Sequence, residues 1–121
     1  MHRTAARALT PLAVALAVAG AAGCGGGSPA AEPGDPVTLT AELVDGEVVI
    51  PEEAPEVPRG TEVTLQVTSD APVEVHVHGF DEYVRLDGPG TGETTFTADL
   101  QGVFEIETHD TGLLIYRLAV R

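Results

Sequence analysis

Alternation of apolar and polar residues runs through most of the chain after Val37 and constrains its fold more than any other feature. In a strand, successive side chains point to opposite faces, so a period of two is typical of strands with one buried face. No stretch has the three- and four-residue spacing of an amphipathic helix. The sequence therefore predicts an all-β fold. Six segments carry the alternation: VTLTAELV (37–44), EVTLQVT (62–68), VEVHV (73–77), TTFTA (94–98), VFEIET (103–108) and IYRLAV (115–120).

Turn-forming residues separate these segments and predict how the strands are connected. Gly, Pro, Asp and Ser favour tight turns because they tolerate or impose unusual backbone angles. Short strands with frequent turns are typical of an antiparallel β-sandwich or barrel, and residues 37–121 are enough for one small domain. With three Phe and two Tyr in the chain, we expect a core of Val, Leu and Ile. The turn signals are Asp45-Gly46, Arg59-Gly60, the stretch 69–72, the stretch 88–90 and Gln101-Gly102.

The first 23 residues are expected to act as a secretory signal peptide. Arg3 and Arg7 precede a mostly apolar run over 8–19, which is too short to cross a bilayer. The following AAGC resembles the lipobox of bacterial lipoproteins, which implies cleavage before Cys24 and acylation of that residue with diacylglycerol and a fatty acid such as palmitate. Two signals or chains suffice for stable anchoring where one is marginal. The alternative is an ordinary signal peptide cut near Ala22, which leaves a free thiol.

Residues 24–36 are rich in Gly and Pro and predict a flexible tether between the lipidated Cys24 and the folded domain. The expected location is therefore the extracytoplasmic face of the bacterial cell membrane.

The strongly negative net charge of the chain indicates which binding partners it attracts and which it repels. The net charge is −13, no lysine is present, and every acidic residue follows Cys24. Such a surface repels nucleic acid and anionic headgroups and attracts cations. No serine, cysteine or lysine nucleophile stands beside a plausible base, so we expect no hydrolase and, more generally, no enzyme.

The segment VEVHVHGFD (73–81) carries two of the four histidines, His76 and His78. Residues i and i+2 of a strand share a face and lie about 6.6 Å apart along it, which allows two imidazoles to reach one metal ion. A second cluster, Glu52, Glu53 and Glu56, could attract a divalent cation. It occupies a Pro-rich stretch that is expected to be a solvated loop.

Two segments carry a resemblance to a known family. GVFEIETHDTGLLIYRLAV (102–120) resembles the last two strands of cupredoxins with the ligand loop between them, and HVHGFD (76–81) resembles their earlier ligand segment. The resemblance implies a cupredoxin-like sandwich with His76 and His109 at ligand positions. HVHG is also similar to the His-x-His-Gly stretches of multicopper oxidases, which need several such motifs where this chain has one.

The chain departs from the blue-copper pattern at both sulfur ligands. The family's cysteine falls at Glu107 or Thr108, and its methionine at Leu114. Without thiolate there is no blue-copper site, so the electron-transfer role is not carried over.

The resulting hypothesis is a membrane-anchored envelope lipoprotein that binds copper, as Cu(II), or another divalent metal at the end of the sandwich for storage, delivery or sequestration. His76, His78 and His109 are the expected ligands, and Glu107 and Asp110 are expected to add an oxygen ligand or to orient an imidazole. Affinity should fall as pH drops through about 6.5.

Two other functions stay open. One is a metal-free β-sandwich module that binds an envelope protein. The other is a small oxidase or dismutase activity at a bound Cu(II), which an open coordination position permits.

The buried face of residues 73–80 also stays open. Simple alternation places Val73, Val75 and Val77 inside and His76 outside, whereas the family alignment makes Phe80, of the same parity as His76, a core residue. A bulge at Gly79 or burial of both faces would reconcile the two.

Overall fold

A computed structural model describes residues 32–121, which contain eight strands and no helix. The all-β prediction is confirmed, and all six alternating segments lie within strands. Consistent with this, nothing in the described range is a helix long and apolar enough to cross a membrane. The predicted signal peptide, Cys24 and most of the tether lie outside the described residues, and these predictions stay untested. The strands are β1 (Val37–Val44), β2 (Glu47–Val49), β3 (Thr61–Ser69), β4 (Val73–Val77), β5 (Glu82–Leu86), β6 (Gly90–Ala98), β7 (Gly102–Thr108) and β8 (Leu114–Val120).

The strands form two four-stranded sheets with the orders β2-β1-β3-β6 and β5-β4-β7-β8. Neighbouring strands are antiparallel except β1 and β3, which run parallel from Val37 beside Val63 to Leu43 beside Ser69. We call the β5-β4-β7-β8 sheet the second sheet, because it carries the histidines. The antiparallel sandwich predicted from the sequence is thus confirmed with one parallel pair.

Alternate residues of both sheets form one aliphatic core. Val63, Leu65 and Val67 of β3 are fully buried and face Val75 and Val77 of β4 across the sandwich. Full burial of such a side chain contributes about 1.5–3 kcal/mol. The domain needs this core because its described part contains no disulfide. Other buried members are Leu39, Ala41, Leu43, Val57, Val84, Phe96, Ala98, Ile106, Ile115, Tyr116, Leu118 and Val120.

The β1–β2 hairpin has a turn that the sequence specifies directly. Val44 pairs with Glu47, so only Asp45 and Gly46 connect the strands. Both have positive φ, 52° and 77°, which is the requirement of the type I′ turn that Asp-Gly favours.

The β4–β5 hairpin answers the question of which face of residues 73–80 is buried. Val75 and Val77 are 0% exposed, so simple alternation is correct for the strand and His76 faces outward. Phe80 nevertheless packs on the core, with its ring 4.7 Å from that of Phe104. It does so because the chain turns after Val77, not because of strand parity.

Gly79 makes this turn possible. Its φ is +86°, and a Cβ there would lie 2.4 Å from the Phe104 ring. The position therefore requires glycine for both its backbone angle and its lack of a side chain.

Gly34, three residues before β1, is already hydrogen-bonded to the sandwich. The backbone N–H of Gly34 donates to Thr61 Oγ1 at 3.0 Å, and the Thr61 hydroxyl donates to the carbonyl of Pro58 at 2.6 Å. Residues 34–36, at the end of the predicted tether, are thus already tied to the sandwich.

Candidate metal-binding face

The strand register brings three of the predicted site residues to the outer face of the second sheet. His76 pairs with Glu107 across the antiparallel β4–β7 ladder, and paired residues project to the same side. His78, two residues from His76, shares that side, and its ring centroid lies 4.3 Å from that of His76. We call His76, His78, Glu107 and His109 the histidine face.

His109 joins this group from the β7–β8 turn. Its backbone N–H donates to the carbonyl of Glu74 at 2.8 Å, which extends the β4–β7 pairing by one step past the end of β7. The residue is exposed, and its charge helps to lower the pKa of His76, which places the two imidazoles within electrostatic reach.

His76 lies at the centre of the face. One side of its ring stacks on Tyr83 with centroids 4.4 Å apart and planes 9° from parallel. Burial, and after it the neighbouring His78, lowers the pKa of His76 below its ordinary value, although Asp81 and Glu107 act in the opposite direction. The ring is therefore held in the neutral form that can coordinate a metal.

His78 already has a carboxylate partner. Its Nε2 lies 2.7 Å from Glu107 Oε1, and the two side chains are 44% and 28% exposed. The ring N–H donates to the carboxylate, which fixes the ring orientation. At this exposure such a pair contributes little to stability, so its replacement by a metal contact costs little.

Asp110 directly follows His109 in the β7–β8 turn. It lines a cleft of about 190 Å³ at one end of the sandwich together with Leu43, Asp70, Val73 and Leu113. Within residues 32–121, no group of three or more His, Cys, Asp or Glu side chains has an arrangement that could hold a metal ion. His76 lies on the outer face of the second sheet, and the metal site expected at the end of the sandwich stays a prediction.

The positions that correspond to the family's sulfur ligands point in different directions. Thr108 faces inward and is 3% exposed; its hydroxyl contacts Thr111 Oγ1 at 2.6 Å and accepts from the Leu113 N–H at 2.9 Å. Its neighbour Glu107 faces outward, and Leu114, paired with Glu107, is 41% exposed. The face offers imidazole and carboxylate donors and no thiolate, so these residues do not form a thiolate copper site.

Two residues beside the histidines were missed by the sequence reasoning. The guanidinium of Arg85 lies 4.3 Å from the Tyr83 ring centre, and Arg85 Nε donates to Glu74 Oε2 at 2.6 Å. Together with His76 they form a continuous stack along β5 and β4. The alternation of Tyr83 and Arg85 around buried Val84 was the available signal, because it marks a strand with both residues on one face.

Comparison with known proteins identifies the fold. Neither a family model nor a curated protein matches the chain. A chain of a heme-copper terminal oxidase dimer aligns with 73% of this chain at 22% identity and a TM-score of 0.55. The periplasmic domain of cytochrome oxidase subunit II (CoxB) of Bradyrhizobium japonicum aligns with 69% at 16% identity and a TM-score of 0.52. The multicopper oxidase mgLAC aligns with 71% at 20% identity, also with a TM-score of 0.52.

These similarities confirm the cupredoxin-like sandwich predicted from the two sequence segments. Identities of 16–22% establish the fold alone. The chain spans 66% of the terminal oxidase chain, 38% of the multicopper oxidase and 83% of the CoxB domain.

Proposed function

We propose that this domain binds Cu(II) on the histidine face and serves as a non-enzymatic copper-binding protein of the cell envelope. The observation that carries the proposal is the approach of the His76 and His78 rings to 4.3 Å on one exposed sheet face, with Glu107 bonded to His78. Two imidazoles and a carboxylate form a donor set suited to Cu(II).

Electrostatics support a cation as the ligand. The chain has a net charge of −13, and its acidic side chains attract cations over a long range. The lowered pKa of His76 favours the neutral imidazole, in which one ring nitrogen is unprotonated and can coordinate copper.

Binding requires a local rearrangement around His78. For His78 to hold copper through Nε2, its hydrogen bond to Glu107 would have to break, and the freed carboxylate would supply an oxygen ligand or accept from the other ring nitrogen. His109, tied to Glu74 through its backbone, supplies a third imidazole. We expect an exchangeable site, as storage, delivery or sequestration requires, because the ligands are exposed and no thiolate is present.

A lipid on Cys24 would keep this face near the membrane. Gly34, where the chain meets the sandwich, is the tenth residue after Cys24. At about 3.4 Å per extended residue, Gly34 stays within about 35 Å of the lipid. The proposed location is the extracytoplasmic face of the cell membrane, and the proposed partners are copper and an envelope protein that exchanges it.

The test is a Cu(II) titration of the soluble domain, followed by electron paramagnetic resonance of the loaded protein. We expect one equivalent to bind the wild type with nitrogen coordination, and His76→Ala and His109→Ala to abolish stoichiometric binding. Glu105→Gln is the matched control, because Glu105 lies on the same outer face and pairs with Arg117. Unchanged titration curves for both histidine variants would remove the proposal.

A metal-free interaction module is the second candidate. It is favoured by the existing contacts of the histidines: His76 stacks on Tyr83, His78 binds Glu107, and His109 is tied to Glu74. In that case protein isolated from its own envelope contains no metal, and the histidine variants change partner capture without changing metal content.

A further inference from the structure

A four-residue stack orients the central histidine of the face. Arg85 Nε donates to Glu74 Oε2 at 2.6 Å, and the Arg85 guanidinium lies 4.3 Å from the centre of the Tyr83 ring. The Tyr83 ring in turn stacks nearly parallel on the ring of His76. All four residues are also cross-strand partners, since His76 pairs with Tyr83 and Glu74 with Arg85. The stack is thus fixed by the β4–β5 register.

The two adjacent histidines are held in different ways. His78 is fixed through a nitrogen, which Glu107 occupies at 2.7 Å. His76 is fixed through the face of its ring, and within residues 32–121 no side-chain hydrogen bond engages its nitrogens. Stacking restricts the rotation of an imidazole without using its lone pair, so His76 is oriented and still free to coordinate.

We propose that Tyr83 is the positioning residue of the copper site and that it makes His76 the first ligand. The inference rests on the proposed function and adds to it an order of events. His76, whose ring is oriented and whose nitrogens make no side-chain hydrogen bond, would be the first residue to hold copper, and His78 would join it on release from Glu107. A ring that is already oriented loses less conformational freedom on binding, which raises affinity.

The phenol oxygen of Tyr83 contributes little to this role. Its hydrogen bond to Asp81 Oδ1 is 3.4 Å long, beyond the usual range of a strong O–H···O bond. The ring alone should therefore suffice, which makes Tyr83→Phe the conservative variant and Tyr83→Leu the variant that removes the flat aromatic surface.

The experiment measures ring orientation and copper binding separately. In the metal-free protein, NMR detects the orientation of the His76 ring through nuclear Overhauser contacts between its protons and those of the neighbouring His78 ring. We expect these contacts in the wild type and Tyr83→Phe and their weakening in Tyr83→Leu. In a Cu(II) competition titration, Tyr83→Phe should bind within about twofold of the wild type, whereas Tyr83→Leu should bind about three- to fivefold more weakly at unchanged stoichiometry, the cost of ordering one side chain.

Arg85→Gln provides a second route if Tyr83→Leu fails to fold. It removes the cation above Tyr83, and a smaller loss in both readouts is expected. The positioning role is overturned if Tyr83→Leu keeps the contacts between the His76 and His78 rings, or if it loses them and binds copper as tightly as the wild type. If the wild type binds no copper, the proposed function fails, and the NMR readout still reports whether Tyr83 orients His76.

Discussion

The inner face of β4 and β7 consists mainly of buried apolar side chains, whereas their outer face consists mainly of partly exposed polar side chains. Their inner positions, among them Val75, Val77 and Ile106, are fully buried. Their outer positions include His76, His78 and Glu107, all partly exposed and in contact with one another. The same two strands, with the residues that directly follow them, thus supply the centre of the core and the histidine face.

The inner residues therefore stabilise the fold, whereas the outer residues form the proposed functional site. The inner residues interact with the opposite sheet through apolar area, which depends only on their being buried. The outer residues interact through the register that places His76 beside Glu107 and Tyr83. A change of register by one residue would exchange the two faces and destroy both.

The largest expected effect distinguishes the faces by stability. Ile106→Ala removes a fully buried side chain from β7 and should lower the free energy of unfolding by about 3 kcal/mol, through lost burial and a residual cavity. Glu105→Ala, the adjacent outward residue with a 49% exposed side chain, should change it by less than about 1 kcal/mol. Urea unfolding of both variants measures the contrast, and similar losses would mean that the assigned faces are wrong.

Periodicity was sufficient for most of the fold. Six of the eight strands follow from alternation, because each buries one face against the opposite sheet. β2 was missed because three residues cannot establish a period. β5 was missed because Tyr83 stands on its outer face and interrupts the apolar pattern, although its neighbour Val84 is buried as a strand residue should be.

The site was less predictable than the fold. The spacing of His76 and His78 predicts a shared face, since it concerns one strand. The pairing of His76 with Glu107 and Tyr83 requires the registers of β4 with β7 and β5, which alternation leaves undetermined. The expected location at the end of the sandwich came from the family resemblance. That location stays a prediction, whereas the outward direction of His76 follows from the valines that occupy the inward positions of β4.

Single cysteine substitutions at Glu107 and Thr108 test which face of β7 is near a bound metal, because these adjacent residues face opposite ways. Glu107→Cys puts a thiol beside His76 and His78, whereas Thr108→Cys puts one in the interior. We expect Co(II), which does not oxidise thiols, to give a thiolate charge-transfer band with Glu107→Cys and none with Thr108→Cys. Absorption spectra during Co(II) titration measure this.

Folding of each cysteine variant is checked by its circular dichroism, because Thr108 also makes hydrogen bonds within the β7–β8 turn. A thiolate band from a folded Thr108→Cys domain would contradict the outward placement of the histidines. Absence of a band from Glu107→Cys with normal Co(II) uptake would place the metal elsewhere.

The smallest expected effect concerns the pH dependence of stability. Because burial and the neighbouring His78 lower the pKa of His76 in the folded domain, the unfolded chain binds more protons between the folded value and about 6.5. Stability should therefore fall as pH decreases through this window.

His76→Phe keeps a flat ring against Tyr83 but cannot be protonated, so its urea midpoint should fall less than that of the wild type between pH 7.5 and 5.5. Carboxylates titrate in both proteins and cancel in the comparison. Identical pH profiles would mean that the outer face, despite its crowded rings, imposes no cost on a charged His76, and that its imidazole is as freely protonated as one in solution.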